Sequence, residues 1–273
     1  MLKQRIITAL ILAPLIIWGI LALPEWAFNL SLAAVIGLAA WEWARLAGWQ
    51  NIIHRIAYSL FILLLLYGVF IVNQQPYVVD ALFGVVLLWW FWTVIYLFSY
   101  RRRALSAEVH TLSALLAGIP VLIGTFFALA LLRHSPAYGP AYIIMLMLLV
   151  WGADTAAYFT GRRFGRHKLL LSVSPGKTWE GVWGALVASL LLGVLGAVYF
   201  KKVGNQFPAF MLVSLLTVIF SIIGDLNESY FKRRAGVKDS GTILPGHGGI
   251  LDRIDSLTSA APVFYFGLVL SGV

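Results

Sequence analysis

The sequence predicts an all-α polytopic membrane protein of about nine transmembrane helices, and three observations carry that prediction. Hydrophobic residues make up 61% of the 273 residues and charged ones 11%, against about 45–50% and about 25% in soluble globular domains. Nine apolar runs approach the roughly 20 residues needed to cross hydrocarbon. The basic residues then fall almost wholly on one side of the membrane. No polar stretch is long enough to fold as a separate soluble domain, and no internal repeat is visible. The chain therefore reads as one integral membrane domain, 1–273, with N-terminal helices in 1–150 and the chemistry-bearing half in 151–273.

Lys3 and Arg5 precede the first run, 6–23. Pro24-Glu25-Trp26 follows it rather than a small-residue cleavage site, so the run reads as a retained signal anchor. The remaining runs are 27–43, 56–72, 78–98, 112–132, 141–159, 181–200, 210–225 and 257–273. They must be helical, because open backbone in hydrocarbon leaves its N–H and C=O groups unpaired. No ten-residue alternation suggests a barrel. With the N-terminus in the cytosol, 17 of the 20 Lys and Arg face the cytosol, and only Arg133, Lys201 and Lys202 lie outside. Cytosolic loops of membrane proteins carry excess Lys and Arg. The formal charge of +9 is thus read as topology, with no nucleic-acid partner. The expected location is a cell inner membrane, multi-pass, with the N-terminus cytosolic and the C-terminus periplasmic. The chain has no cysteine, which excludes disulfides, thiolate zinc sites and cysteine nucleophiles.

Two polar loops, 161–180 and 225–255, share the cytosolic face, so the candidate active site faces the cytosol. Seven of the 11 acidic residues lie in or beside them: Asp154, Glu180, Asp225, Glu228, Asp239, Asp252 and Asp255. An ionisable group inside a membrane costs at least about 2.5–3.5 kcal/mol on insertion scales and is a functional candidate by default. Pairing with an Arg to hold helices together is the bland alternative for Asp154 and Glu180. Asp225 and Glu228 are i, i+3, as are Asp252 and Asp255, so each pair shares a helix face. Converging faces of this kind supply the hard oxygens that Mg²⁺ takes alongside phosphates and water. Lys232, Arg233, Arg234 and Lys238 share the second loop with the acids, and Lys177 sits on the first. Topology and attraction to anionic headgroups account for Arg162, Arg163, Arg166 and Lys168. They do not account for cations interleaved with carboxylates and glycines, a mixture suited to polyphosphate and metal. Pro245-Gly246-His247-Gly248-Gly249 would let backbone N–H groups approach phosphate. Ser174-Pro175-Gly176-Lys177-Thr178 resembles a Walker A loop only in part. Leu171 stands where that motif needs its first Gly, and no strand is expected before it.

The run from Ser229-Tyr230-Phe231-Lys232-Arg233, through four residues, to Lys238-Asp239-Ser240-Gly241-Thr242-Ile243-Leu244-Pro245-Gly246-His247-Gly248-Gly249-Ile250-Leu251-Asp252-Arg253-Ile254-Asp255 resembles the signature of the phosphatidate cytidylyltransferase (CDP-diacylglycerol synthase) family. Ser174-Pro175-Gly176-Lys177-Thr178-Trp179-Glu180-Gly181 is similar to a second family segment, which often has another Lys at the position of Gly176. The segments around Asp154 and Gly224-Asp225-Leu226-Asn227-Glu228-Ser229 resemble the family too. Lys3-Gln4-Arg5 and Ala39-Ala40-Trp41-Glu42-Trp43 are similar to bacterial members.

The resemblance implies that CTP and phosphatidate give CDP-diacylglycerol and pyrophosphate with Mg²⁺, with room for a second cation. It implies metal binding by Asp225, Asp252 and Asp255, and phosphate contacts by Lys177, Lys232, Arg233 and Lys238. Ser174, Thr178, His247, Gly248, Gly249 and Arg253 would shape the substrate site. Asp154 and Glu180 would orient a Lys or Arg or hold the second cation, with Glu228 and Asp239 in support. The partners are CTP, phosphatidate and membrane lipid, and a homodimer is compatible. A CTP-dependent polyprenol kinase and a transporter are the rival readings. The kinase would need a base such as Asp225 and would pass on the γ-phosphate; the transporter would place its charges at mid-bilayer.

Overall fold

The computed structural model describes residues 2–72, 76–100, 111–244, 246 and 248–272, with the side chains of residues 2–9, Pro76 and Tyr100 left aside. Among these residues the fold is nine helices and one small hairpin. The helices are α1 (Leu2–Ala22), α2 (Glu25–Leu46), α3 (Ile52–Val72), α4 (Pro76–Tyr100), α5 (Thr111–His134), α6 (Gly139–Phe164), α7 (Trp179–Tyr199), α8 (Gln206–Arg234) and α9 (Leu251–Ser271). Every expected apolar run is a helix, and the architecture is an all-α polytopic membrane protein. By length and composition, α2 to α9 contain eight candidate spans, while the described apolar part of α1 is Leu10–Ala22.

The core centres on α5, whose membrane window is the most buried. Trp43 Nε1 donates to the Ala114 carbonyl at 2.8 Å, and the Tyr58 hydroxyl donates to the Leu115 carbonyl at 2.7 Å. A methyl on Gly118 would collide with both rings. In the second half α6 packs along α7 and α8 along α9. Without a hydrophobic drive between helices in lipid, close approach depends on small residues. Gly184 meets Thr160 at the α6–α7 contact, and Gly224 meets the Asp255 carbonyl and Ser259 at the α8–α9 contact.

Two boundaries and one element differ from expectation, and all three shape the site. α8 does not stop near Asp225 but continues to Arg234. Lys232, Arg233 and Arg234 are therefore its last turn, not a loop. It ends in a Schellman turn, with Gly236 at φ 68 and N–H bonds from Gly236 to the Arg233 carbonyl and from Val237 to the Lys232 carbonyl. α9 begins at Leu251, so Asp252 and Asp255 are helical, not loop residues. Segment 161–180 is not a plain loop either. Lys168–Leu170 (β1) pairs antiparallel with Ser174–Thr178 (β2). A strand does precede Lys177, contrary to expectation, but Lys177 itself lies on a hairpin strand. That geometry is unlike the strand-to-helix loop of a Walker motif.

Candidate active site

α7 is placed by its own start signal. Thr178 Oγ1 accepts the Gly181 N–H at 3.2 Å, a side-chain N-cap. The hydroxyl expected to shape the substrate site is thus also the helix cap. Glu180, expected to orient a Lys or Arg or to hold a second cation, instead takes the His167 Nδ1 at 2.7 Å and the His167 N–H. That grip closes the base of the hairpin. Arg233, expected on phosphate, donates from Nε to the Val173 carbonyl at 3.3 Å and ties the hairpin turn to α8.

These anchors carry Lys177 over α8. Its Nζ lies 2.6 Å from Asp225 Oδ2, with each side chain about a quarter exposed. Asp154, on α6, is a charged neighbour of both. The three open into a cleft of about 600 Å³ that also reaches Arg162, Lys168 and Thr178. A larger hollow of about 870 Å³, lined by Arg166, Lys168, Ser172 and Trp179 among others, borders the hairpin and has no carboxylate in its lining. Of the two, the smaller cleft is the one in which opposite charges converge.

On α8, Asp225, Glu228, Ser229 and Lys232 fall on one face, at i, i+3, i+4 and i+7. Ser229 Oγ donates to Asp225 Oδ1 at 3.2 Å. Lys232 is buried between Glu228 Oε2 at 2.5 Å and Asp252 Oδ1 at 2.8 Å. It is 9% exposed, so it holds these two carboxylates from a buried position. Asp255 has Asp225, Lys232 and Lys177 as its charged neighbours.

Asp252, expected on metal, already accepts several donors. Besides Lys232, its Oδ2 accepts from the Gly249 N–H at 2.7 Å and the Ser240 N–H at 2.9 Å, with the Ser240 hydroxyl at 3.0 Å. The Gly249 N–H, expected to face phosphate, is thereby used. Gly248, at φ 84, has a glycine's backbone and leaves space for Asp252. Ser174 begins β2, away from the cleft lining, and Lys238, Asp239 and Arg253 are exposed. His247 lies outside the described residues.

The cluster fits a divalent cation by its chemistry. Five carboxylates, Asp154, Asp225, Glu228, Asp252 and Asp255, surround two ammonium groups. Glu228 Oε1 is buried without a hydrogen-bond partner among the described residues. No three such side chains there close into a ready-made cage. Mg²⁺ does not need one, because it takes one or two carboxylates and fills its remaining positions from phosphate and water.

Glu42 was named in the sequence only within a segment similar to bacterial members, with no partner assigned. It is 1% exposed on α2 and holds the segment that carries Ser240 and Ile250. A carboxylate inside an apolar run was the signal available.

Residues 3–271 match the model of the cytidylyltransferase family. A phosphatidate cytidylyltransferase of Pseudomonas aeruginosa is 42% identical over 97% of this chain and 96% of its own length. Proteins of the same name are 37% identical in Haemophilus influenzae, over 97% and 98%, and 33% identical in Bacillus subtilis, over 98% of each chain.

Proposed function

The chain belongs to the cytidylyltransferase family, and from that premise we propose how its own residues carry the reaction. The enzyme transfers a cytidylyl group from CTP to phosphatidate, giving CDP-diacylglycerol and pyrophosphate. A phosphate oxygen of the lipid attacks the α-phosphorus of CTP. The new P–O bond forms as the bond from that phosphorus to the bridging oxygen breaks, and pyrophosphate leaves with the electron pair. The second pKa of a phosphate monoester is about 6, so the nucleophile is already ionised near neutrality and no general base is required. The barrier is repulsion between a dianion and a triphosphate. Positioning and electrostatics lower it.

Lys177 is the cation nearest that task. It reaches the cleft from β2, is held by Asp225, and is open enough to meet a phosphate. Asp225 and Asp255 are the carboxylates we assign to Mg²⁺, with Asp154 and the unpartnered oxygen of Glu228 beside them. When bound, the ion would neutralise phosphate oxygens and the charge on leaving pyrophosphate. Lys232 offsets the carboxylates on either side of it, and Asp252 anchors the turn before α9. We place the cleft on the cytosolic face of the inner membrane, where CTP is available, supported by the 17 of 20 basic residues on that side.

The observation that carries the site is the convergence of Lys177, Asp225 and Asp154, from three separate elements, in one cleft. The test is label transfer by purified protein in detergent with phosphatidate. Label from the α-phosphate of CTP should enter lipid, and label from the γ-phosphate should not. Transfer of γ-label would establish a kinase instead.

A further inference from the structure

We propose that Glu42, on the second helix of the N-terminal half, is a positioning residue for the cytidylyl transfer. Its carboxylate fixes the turn that begins α9, and through that turn it fixes Asp252 and Lys232. The inference rests on the functional reading above.

Three donors converge on Glu42. Oε1 accepts the Ile250 N–H at 3.1 Å, and Oε2 accepts the Leu251 N–H at 2.8 Å and faces the Ser240 hydroxyl at 3.0 Å. The first two are N–H groups at the start of α9, which have no partner within the helix and favour an anion. Glu42 thus caps a helix from 208 and 209 residues away. Two glycines are shaped around it. A methyl on Gly241 or on Gly249 would strike the Glu42 carboxylate. These glycines leave room for a side chain from α2, a reason separate from any approach to phosphate.

The connection to the chemistry is short. The Ser240 hydroxyl, with one proton, stands 3.0 Å from Glu42 Oε2 and 3.0 Å from Asp252 Oδ2. Asp252 holds Lys232, and Lys232 holds Glu228 on the face of α8 that carries Asp225. Two carboxylates from opposite ends of the sequence therefore grip one serine. Releasing one of them loosens the register of α9 against α8. Glu42 lines neither the cleft nor the larger hollow, so it acts through these residues and not on substrate.

Glu42→Gln is the first test. An amide keeps the shape but presents N–H to the Ile250 or Leu251 donor. Loss of a buried charge-assisted contact should lower kcat about 10- to 100-fold. KM for phosphatidate should stay within roughly twofold. Glu42→Asp, which keeps the charge on a shorter arm, should recover part of the loss. Ser240→Ala should lower kcat, and the loss in the double variant should fall short of the product of the two single losses. A merely structural Glu42 would lower Tm while the folded fraction kept wild-type kcat, and that result overturns the proposal. If Glu42→Gln does not fold, Ser240→Ala decides: reduced kcat at unchanged Tm supports the proposal, and wild-type kinetics refutes it. Failure of the wild-type protein to transfer α-label would instead refute the underlying reaction.

Discussion

Lys177 has one ion-pair partner among the described residues, Asp225, and an open side towards the cleft. If its charge serves only topology, replacing it should be nearly silent. If it meets a phosphate as charge develops, Lys177→Ala should lower kcat about 10²- to 10³-fold. Lys177→Arg should restore only part of this, since a planar guanidinium does not replace a compact ammonium. Steady-state kinetics with expression monitored separates the two outcomes. Asp225→Asn should abolish turnover without unfolding the protein, because an amide neither holds Lys177 nor charges a metal site. Near-normal activity at saturating Mg²⁺ would remove Asp225 from the site. Lys177 and Asp225 were legible in the sequence because each is a charge beside a membrane-spanning run. Thr178, Glu180 and Arg233 were legible as polar residues but not in role. Glu180 and Arg233 bond a histidine and a backbone carbonyl that come close only once the hairpin has formed, and Thr178 caps the helix that starts beside it. Glu42 was unreadable as a partner of Ser240 because 198 residues separate them.

Among the elements, the nine helices were visible because a run of apolar residues near the spanning length has one stable conformation in hydrocarbon. Their polar ends were not. The apolar criterion closes α8 at its first charge, yet helical hydrogen bonding continues for more than two turns, until Gly236 stops it. The hairpin was invisible because strands of three and five residues, one containing Pro175 and Gly176, show no alternation. The α8–α9 contact yields its own prediction. A methyl at Gly224 would sit 2.5 Å from the Asp255 carbonyl and closer still to Ser259. Gly224→Ala should cost about 1–3 kcal/mol through overpacking. It should also lower kcat, because it shifts Asp255 against Asp225. Thermal melting in detergent beside kinetics tests this, and unchanged values in both would show that the contact is slack.

At the scale of the molecule, the three basic residues placed outside are informative. Arg133 Nη2 donates to the Leu23 carbonyl at 2.9 Å. Lys202 donates to the Tyr142 hydroxyl at 3.3 Å and lies 5.9 Å from the ring centres of Tyr138 and Tyr142. Two of the three expected outside therefore have structural work besides any part in topology. Because the chain lacks cysteine, single cysteines report cleanly. Ser172→Cys and Thr242→Cys, both at exposed positions, should escape an impermeant reagent in intact cells and react in inverted vesicles. Labelling of either from outside would reverse the orientation. The length of α8 has one more consequence. Its 29 residues span about 43 Å at 1.5 Å per residue, against a hydrocarbon core of about 30 Å. It is thus long enough for its charged last turns to stand at headgroup depth. A phosphatidate molecule can meet Lys177 by lateral diffusion, with its acyl chains still in the leaflet, and its product can leave the same way. Only the nucleotide crosses from water. Turnover in mixed micelles should then follow the surface mole fraction of phosphatidate and stay constant when lipid and detergent are diluted together.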